Sequence, residues 1–177
     1  MVEMTVESVR INLATQARVV ILKATKQDRY LFIWIAHSEA YAIAVELQGS
    51  TLPRPLTHDL LKNVIGELGA KIVSVVISDL IDEVFYARIV LDVDGRHVEI
   101  DSRPSDAIAL AVRARTPIFV EESVLDRVGV TMEHSDELAP PPRASKTEPK
   151  PEVDYDNLDA YRDFINSLDV LDEFGKD

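Results

Sequence analysis

The 177-residue chain contains no cysteine. That excludes disulfides, thiolate-held metals and a cysteine nucleophile. No apolar run approaches the roughly 18 charge-free residues of a transmembrane helix, so no membrane association is expected. Met1–Arg10 alternates Val with Glu and Thr and lacks a basic start and an apolar stretch, so it does not read as a signal peptide. Together these absences point to a cytoplasmic protein. Familiar catalytic signatures are missing as well: there is no GxGxxG, Walker-A loop, HExxH or GxSxG. His37, His58, His97 and His134 do not cluster at metal-ligand spacing. Basic charge is scarce, with 19 Lys+Arg against 31 Asp+Glu, a net charge of −12. Residues 131–177 hold 13 of those acids and only 5 of the bases, a net of −8, so most of the net negative charge lies in the tail. Such a chain binds phosphate backbones poorly unless a local basic cleft or a bridging metal compensates.

What is present is a motif used twice. Residues 38–45 read Ser-Glu-Ala-Tyr-Ala-Ile-Ala-Val, and residues 105–112 read Ser-Asp-Ala-Ile-Ala-Leu-Ala-Val. Five of the eight positions are identical at an offset of 67, and Glu39 aligns with Asp106. The same offset overlays Val19–Ile35 on Tyr86–Ser102 and Thr5–Leu13 on Ile72–Leu80, all apolar and β-branched runs. The unit reads strand, hairpin, helix. Strands are expected at Arg18–Thr25, Tyr30–Ala36, Ile72–Asp79, Val84–Asp92, Arg96–Ile100 and Pro117–Val120, with an Asp94-Gly95 hairpin turn. Ser38 and Thr57 read as helix N-caps, and Gly49 and Gly69 as helix stops. The second helix, His58–Leu68, spaces Leu60, Leu61, Val64, Ile65 and Leu68 on a helical period. A helical turn is expected at Glu122–Val128. Trp34 reads as core rather than as a base-stacking platform.

The expected fold class is α+β: a duplicated strand–hairpin–helix unit forms a mixed or antiparallel sheet covered by helices, and an acidic helix follows. Residues 1–130 form the domain. Residues 131–153 read as a Pro-rich flexible linker, with five prolines between Ala139 and Pro151. In residues 154–177, Leu158, Tyr161, Ile165 and Leu168 fall on one face opposite acids, which suits an amphipathic helix or an acidic disordered tail.

Three constellations can carry chemistry. In Pro53-Arg54-Pro55-Leu56-Thr57-His58-Asp59, Arg54 can grip phosphate, His58 can transfer protons near neutral pH, and Asp59 can ligate a hard cation. In Asp101-Ser102-Arg103-Pro104-Ser105-Asp106, two carboxylates suit magnesium or manganese and Arg103 suits a phosphate; the structural alternative pairs Arg103 with Asp101 or Asp106. Third, a two-fold repeat makes a seam, and the helix starts bearing Glu39 and Asp106 can meet there. The alternative is that both acids simply complement helix dipoles.

These segments together resemble a known family. Trp34-Ile35 with Glu39-Ala40, Arg54-Pro55-Leu56-Thr57-His58-Asp59-Leu60-Leu61, Phe85-Tyr86-Ala87-Arg88, and Ile100 through Ala111 look like the bifunctional nuclease domain family over about residues 4–130. Where that family commonly has a glycine after the Trp-Ile strand, this chain has Ala36-His37. The resemblance implies a compact α+β domain, often a homodimer, and RNase and DNase activity on nucleic acid. Its polar motif positions are Glu39, Arg54, His58, Asp59, Arg88, Asp101, Arg103, Ser105 and Asp106. The leading expectation is phosphodiester hydrolysis assisted by a divalent metal. His58, Asp59, Asp106 and Glu39 would be catalytic. Arg54, Arg88, Arg103 and Ser105 would bind substrate, and Asp101 and Asp106 would hold the metal. The rival expectation is a non-catalytic regulatory module that binds a small anion or a protein partner. In a third reading the acidic tail covers the basic seam as a nucleic-acid mimic.

Overall fold

Apolar alternation and turn residues set the strands, and the Ala-rich motif sets two of the helices. A computed structural model of the protein describes residues 1–13 and 15–131. The expected acidic helix and nearly all of the expected linker lie outside the described residues. In chain order the elements are β1 (Val2–Ile11), β2 (Arg18–Ala24), β3 (Tyr30–Ile35), α1 (His37–Leu47), α2 (Thr57–Glu67), β4 (Ala70–Ile81), β5 (Val84–Val93), β6 (Arg96–Ser102), α3 (Pro104–Ala114), β7 (Ile118–Val120) and α4 (Glu122–Val128). The fold is mixed α+β, with one seven-stranded sheet in the order β3-β2-β1-β7-β4-β5-β6. Pairing is antiparallel except between β4 and β7.

That order reads alike from either edge. The central β7 is flanked by β1 and β4, then β2 and β5, then β3 and β6. β1 carries one register shift, at Val6/Ser8, and β4 carries two, at Ile72/Ser74 and Ile77/Asp79. Two copies of one unit would give this order, and so would independent pairing of similar hairpins. Asp94 and Gly95 both take positive φ, 52° and 80°, as the tight β5–β6 turn requires.

Strand alternation decides which side chains meet the helices. Val20 and Leu22 of β2, Val75 and Ile77 of β4, and Ala87 and Ile89 of β5 join Ile43 of α1 and Ala107–Ala111 of α3 in the main core. Helix α3 is central, with every residue from Ala107 to Ala111 wholly buried. The opposite face of β2 and β3 carries a smaller cluster of Val19, Ile21 and Tyr30, against which Phe32 and Trp34 pack. Trp34 is therefore a packing residue, as expected. Among the described residues no helix is long and apolar enough to cross a membrane.

Two expected caps are corrected. Helix α1 starts at His37 with Ala36 in the N-cap position, and the Ser38 hydroxyl donates to Glu39 instead of capping. Helix α2 includes Thr57, and Leu56 sits at its N-cap. Asp59 takes over the capping role by accepting the Leu56 backbone N–H at 2.8 Å. Ala36 is extended at φ −78°, a conformation any residue adopts, so this turn does not need the glycine common in the resembled family.

Candidate active site

Strands β3 and β6 are the two edges of the sheet, yet α1 and α3, which follow them, pack against each other. Helix α2 packs on α3 as well. The starts of all three helices therefore gather at one place. A cleft of about 300 Å³ opens there, lined by Ser38, Glu39, Tyr41 and Ala42 of α1, Leu56, Thr57 and His58 at the start of α2, and Arg103 and Asp106 at the start of α3.

Arg103 is the hinge of the cleft. Its Nη2 donates to Glu39 Oε1 at 2.7 Å, and its Nε donates to Asp106 Oδ2 at 2.6 Å. The other Asp106 oxygen, Oδ1, lies 3.1 Å from His58 Nε2. The other Glu39 oxygen accepts the Ser38 hydroxyl at 2.9 Å. Glu39, Arg103, Asp106 and His58 thus form one continuous chain of charge-assisted hydrogen bonds. Glu39 and His58 are buried, whereas the Arg103 side chain is 65% exposed. Burial pushes the Glu39 carboxyl up, but bonds from its own backbone, Ser38 and Arg103 outweigh it and hold the group below its ordinary range. Burial likewise raises Asp106, and bonds from Arg103 and His58 reverse the sign. Arg103 is raised, first by its hydrogen bond to Asp106 and then by that to Glu39. The resting cleft therefore holds two ionised carboxylates around one fixed cation.

A second guanidinium, Arg113 on α3, lies behind the cleft and is only 4% exposed. It donates to Asp59 Oδ1 at 2.7 Å, to its own helix at Ala109 O, and to α1 at Ala42 O. Lys62 of α2 donates to the Arg113 carbonyl at 2.8 Å. Arg113 therefore ties α1, α2 and α3 together from inside. Asp59 opposes its own burial through bonds from Leu56 N–H and Arg113, which leave its carboxyl below the ordinary range. Both Asp59 oxygens are thus committed, one to each partner.

Of the nine sequence-selected residues, the cleft collects Glu39, His58, Arg103 and Asp106. Asp59 stands behind it on Arg113. Arg54 is exposed in the loop before α2 and does not line the cleft. Ser105 is buried inside α3 and does not line it either. Arg88 and Asp101 are register partners across β5 and β6. They lie on the sheet face opposite Ala87 and Ile89, away from the helices, and Arg88 pairs there with Glu99 and Glu121. Arg113 was not selected from the sequence. Its signal was an arginine seven positions after Asp106 on a helix whose residues from Ala107 to Val112 are all apolar.

The donor set does not fit a divalent ion shared by Asp101 and Asp106. The first faces away from the cleft, and both oxygens of the second are engaged by Arg103 and His58. Among the described residues no three His, Asp or Glu groups converge in a metal-holding arrangement.

A mixed sheet whose edge strands feed helices that meet over a carboxylate–guanidinium–imidazole cleft defines an α+β domain with a polar inter-helix site. Residues 20–133 match the bifunctional nuclease domain family, and the chain belongs to that family. An uncharacterized protein of Mycobacterium tuberculosis is 38% identical over 166 residues, 94% of both chains. Bifunctional nuclease 2 of Oryza sativa subsp. japonica is 28% identical over 120 residues, 66% of this chain and 37% of its own. Bifunctional nuclease 1 of Arabidopsis thaliana is 29% identical over 97 residues, 53% of this chain and 30% of its own. The plant proteins are thus matched over a minor part of their length.

Replacing Arg113 by methionine keeps most of its bulk but leaves Asp59 Oδ1 without its partner and removes the side-chain bonds to the Ala42 and Ala109 carbonyls. A loss of about 3 kcal/mol in urea unfolding is expected, the low end for a broken buried pair because Asp59 is partly solvated. Arg113→Lys is expected to lose about half as much, since one ammonium cannot serve three separated acceptors. A change below about 0.5 kcal/mol in both variants, the level of an inert surface substitution, would contradict the role.

Proposed function

We propose that the protein is a nuclease, hydrolysing phosphodiester bonds in RNA or DNA at the cleft between α1, α2 and α3. The observation that carries the reading is Asp106 holding an imidazole on one oxygen and a guanidinium on the other, in a chain of the bifunctional nuclease domain family. An imidazole that donates Nε2–H to a carboxylate keeps Nδ1 as its basic nitrogen. His58 then removes the proton from the attacking oxygen, a water or a ribose hydroxyl. The oxygen–phosphorus bond forms, the phosphorus–leaving-oxygen bond breaks, and the proton passes on to the departing oxygen. Arg103 keeps three of its five N–H groups free of Glu39 and Asp106, enough to hold a phosphate oxygen as negative charge builds. Glu39 and Asp106 fix that guanidinium in place. Asp59 acts from behind, by setting the start of α2 and hence the position of His58.

No step here runs through a metal. Chelation separates the two versions of the reading: cleavage kept in EDTA fits the closed network, whereas cleavage lost places a cation in the reaction and requires Arg103 to leave a carboxylate. A second reading, a regulatory module binding a small anion or a protein, is favoured by one observation: the acids of the cleft are already satisfied by protein partners.

The test uses single-stranded RNA and DNA with magnesium, manganese or EDTA. His58→Ala is expected to lower kcat about 100-fold or more, the usual contribution of a positioned base. Arg103→Lys is expected to lower it too, with circular dichroism unchanged. Cleavage equal in wild type and both variants would reject the site. Absent cleavage with retained phosphate binding would favour the regulatory module.

We further propose a cytoplasmic homodimer. On α2, Leu60, Leu61 and Val64 are exposed at helical spacing, with Leu68 exposed just beyond, an apolar stripe that a monomer rarely shows to water. Light scattering is expected to give twice the mass of one chain, and the double variant Leu60→Lys/Val64→Lys to give the mass of one. A monomeric wild type at micromolar concentration would rule the dimer out.

A further inference from the structure

The cleft has one wall that the acid–base chemistry does not use. Tyr41 lines it and is 49% exposed, beside Ala42 and Leu56. Tyr41 on α1 lines the same cleft as Arg103. Its hydroxyl has no hydrogen-bond partner among the described residues. At the sequence offset of 67, the position matching Tyr41 is Ile108, which is wholly buried in the core. The same motif position thus packs a core in one helix and offers a half-bare aromatic ring to a charged cleft in the other. A cavity of about 300 Å³ is at the small end of ligand sites, so it admits a single nucleotide unit and not a duplex.

We propose that Tyr41 is the base-stacking residue of this site, so that the cleft takes one unpaired nucleotide, its base against the Tyr41 ring and its phosphate on Arg103. The proposal deepens the nuclease reading and rests on it for the identity of the ligand. Stacking on an aromatic ring is available to every base, so the subsite selects for an unpaired base and not for sequence. A base inside a duplex already has both faces stacked and cannot reach the ring. The substrate class that follows is single-stranded nucleic acid, or the unpaired ends and loops of folded RNA.

The probes are adenosine 5′-monophosphate and ribose 5-phosphate, which share the phosphate and differ in the base. Calorimetry on the wild-type chain is expected to show the nucleotide binding about 10-fold tighter. Tyr41→Ala is expected to remove that preference without changing the affinity for ribose 5-phosphate, and Tyr41→Phe to keep it. Equal affinities in the wild type, a preference that survives Tyr41→Ala, or no binding of either probe at millimolar concentration would each overturn the proposal. In cleavage assays, Tyr41→Ala should raise KM for a single strand far more than it lowers kcat. The two readings fail separately. A base preference without any cleavage sinks the nuclease and keeps the subsite, whereas cleavage without a base preference does the reverse.

Discussion

One guanidinium shared by two carboxylates is the constraint around which the helical layer is arranged. Glu39 begins α1 and Asp106 begins α3, and each is favoured there by its own helix dipole. Brought together alone, two ionised acids at a partly dry junction would repel. Arg103 between them turns that repulsion into a bridge that spans 64 residues of sequence from one helix start to the other. Arg113 repeats the device deeper, where it binds Asp59 and two carbonyls at once. The outer guanidinium is exposed enough to meet a ligand. The inner one is buried and can only support. Position and chemistry are thus divided between two arginines ten residues apart on one helix and its N-terminal flank.

The same arrangement addresses the scarcity of positive charge. An acidic chain has little long-range attraction for nucleic acid. The cleft holds two ionised carboxylates around one guanidinium and so adds no net positive charge, but it presents its cation in a fixed geometry. Recognition would then depend on short-range contacts, a phosphate on Arg103 and an apolar wall for the base, more than on electrostatic capture.

The strands were legible because apolar β-branched runs and the Asp94-Gly95 turn leave few alternatives, and the boundaries agree within a few residues. The convergence of Glu39 and Asp106 was readable from the repeated motif, although their joint partner was not fixed, since Arg103 had two acids of its own segment within reach. Arg88 and Asp101 illustrate what motif reading leaves out. Alternation about the buried Ala87 and Ile89 puts both on the far side of the sheet, and sequence proximity to Arg103 conceals this. The caps were misread for a related reason. Ser38 and Thr57 have the right side chains, but each lies one or two residues inside its helix, the Ser38 hydroxyl donates to Glu39, and Asp59 accepts the Leu56 N–H. Arg113 was hidden because its partners come from two helices distant in sequence.

The most direct test of the account is the Arg103 Nε–H resonance in a nitrogen-15 NMR spectrum, followed as inorganic phosphate is added. A guanidinium held by Glu39 and Asp106 should give a resolved, slowly exchanging signal that is lost in Asp106→Asn. The account predicts that this signal shifts with phosphate in a saturable manner. A resolved signal that stays fixed while phosphate reaches tens of millimolar would contradict it, because Arg103 would then be a structural bridge and nothing more.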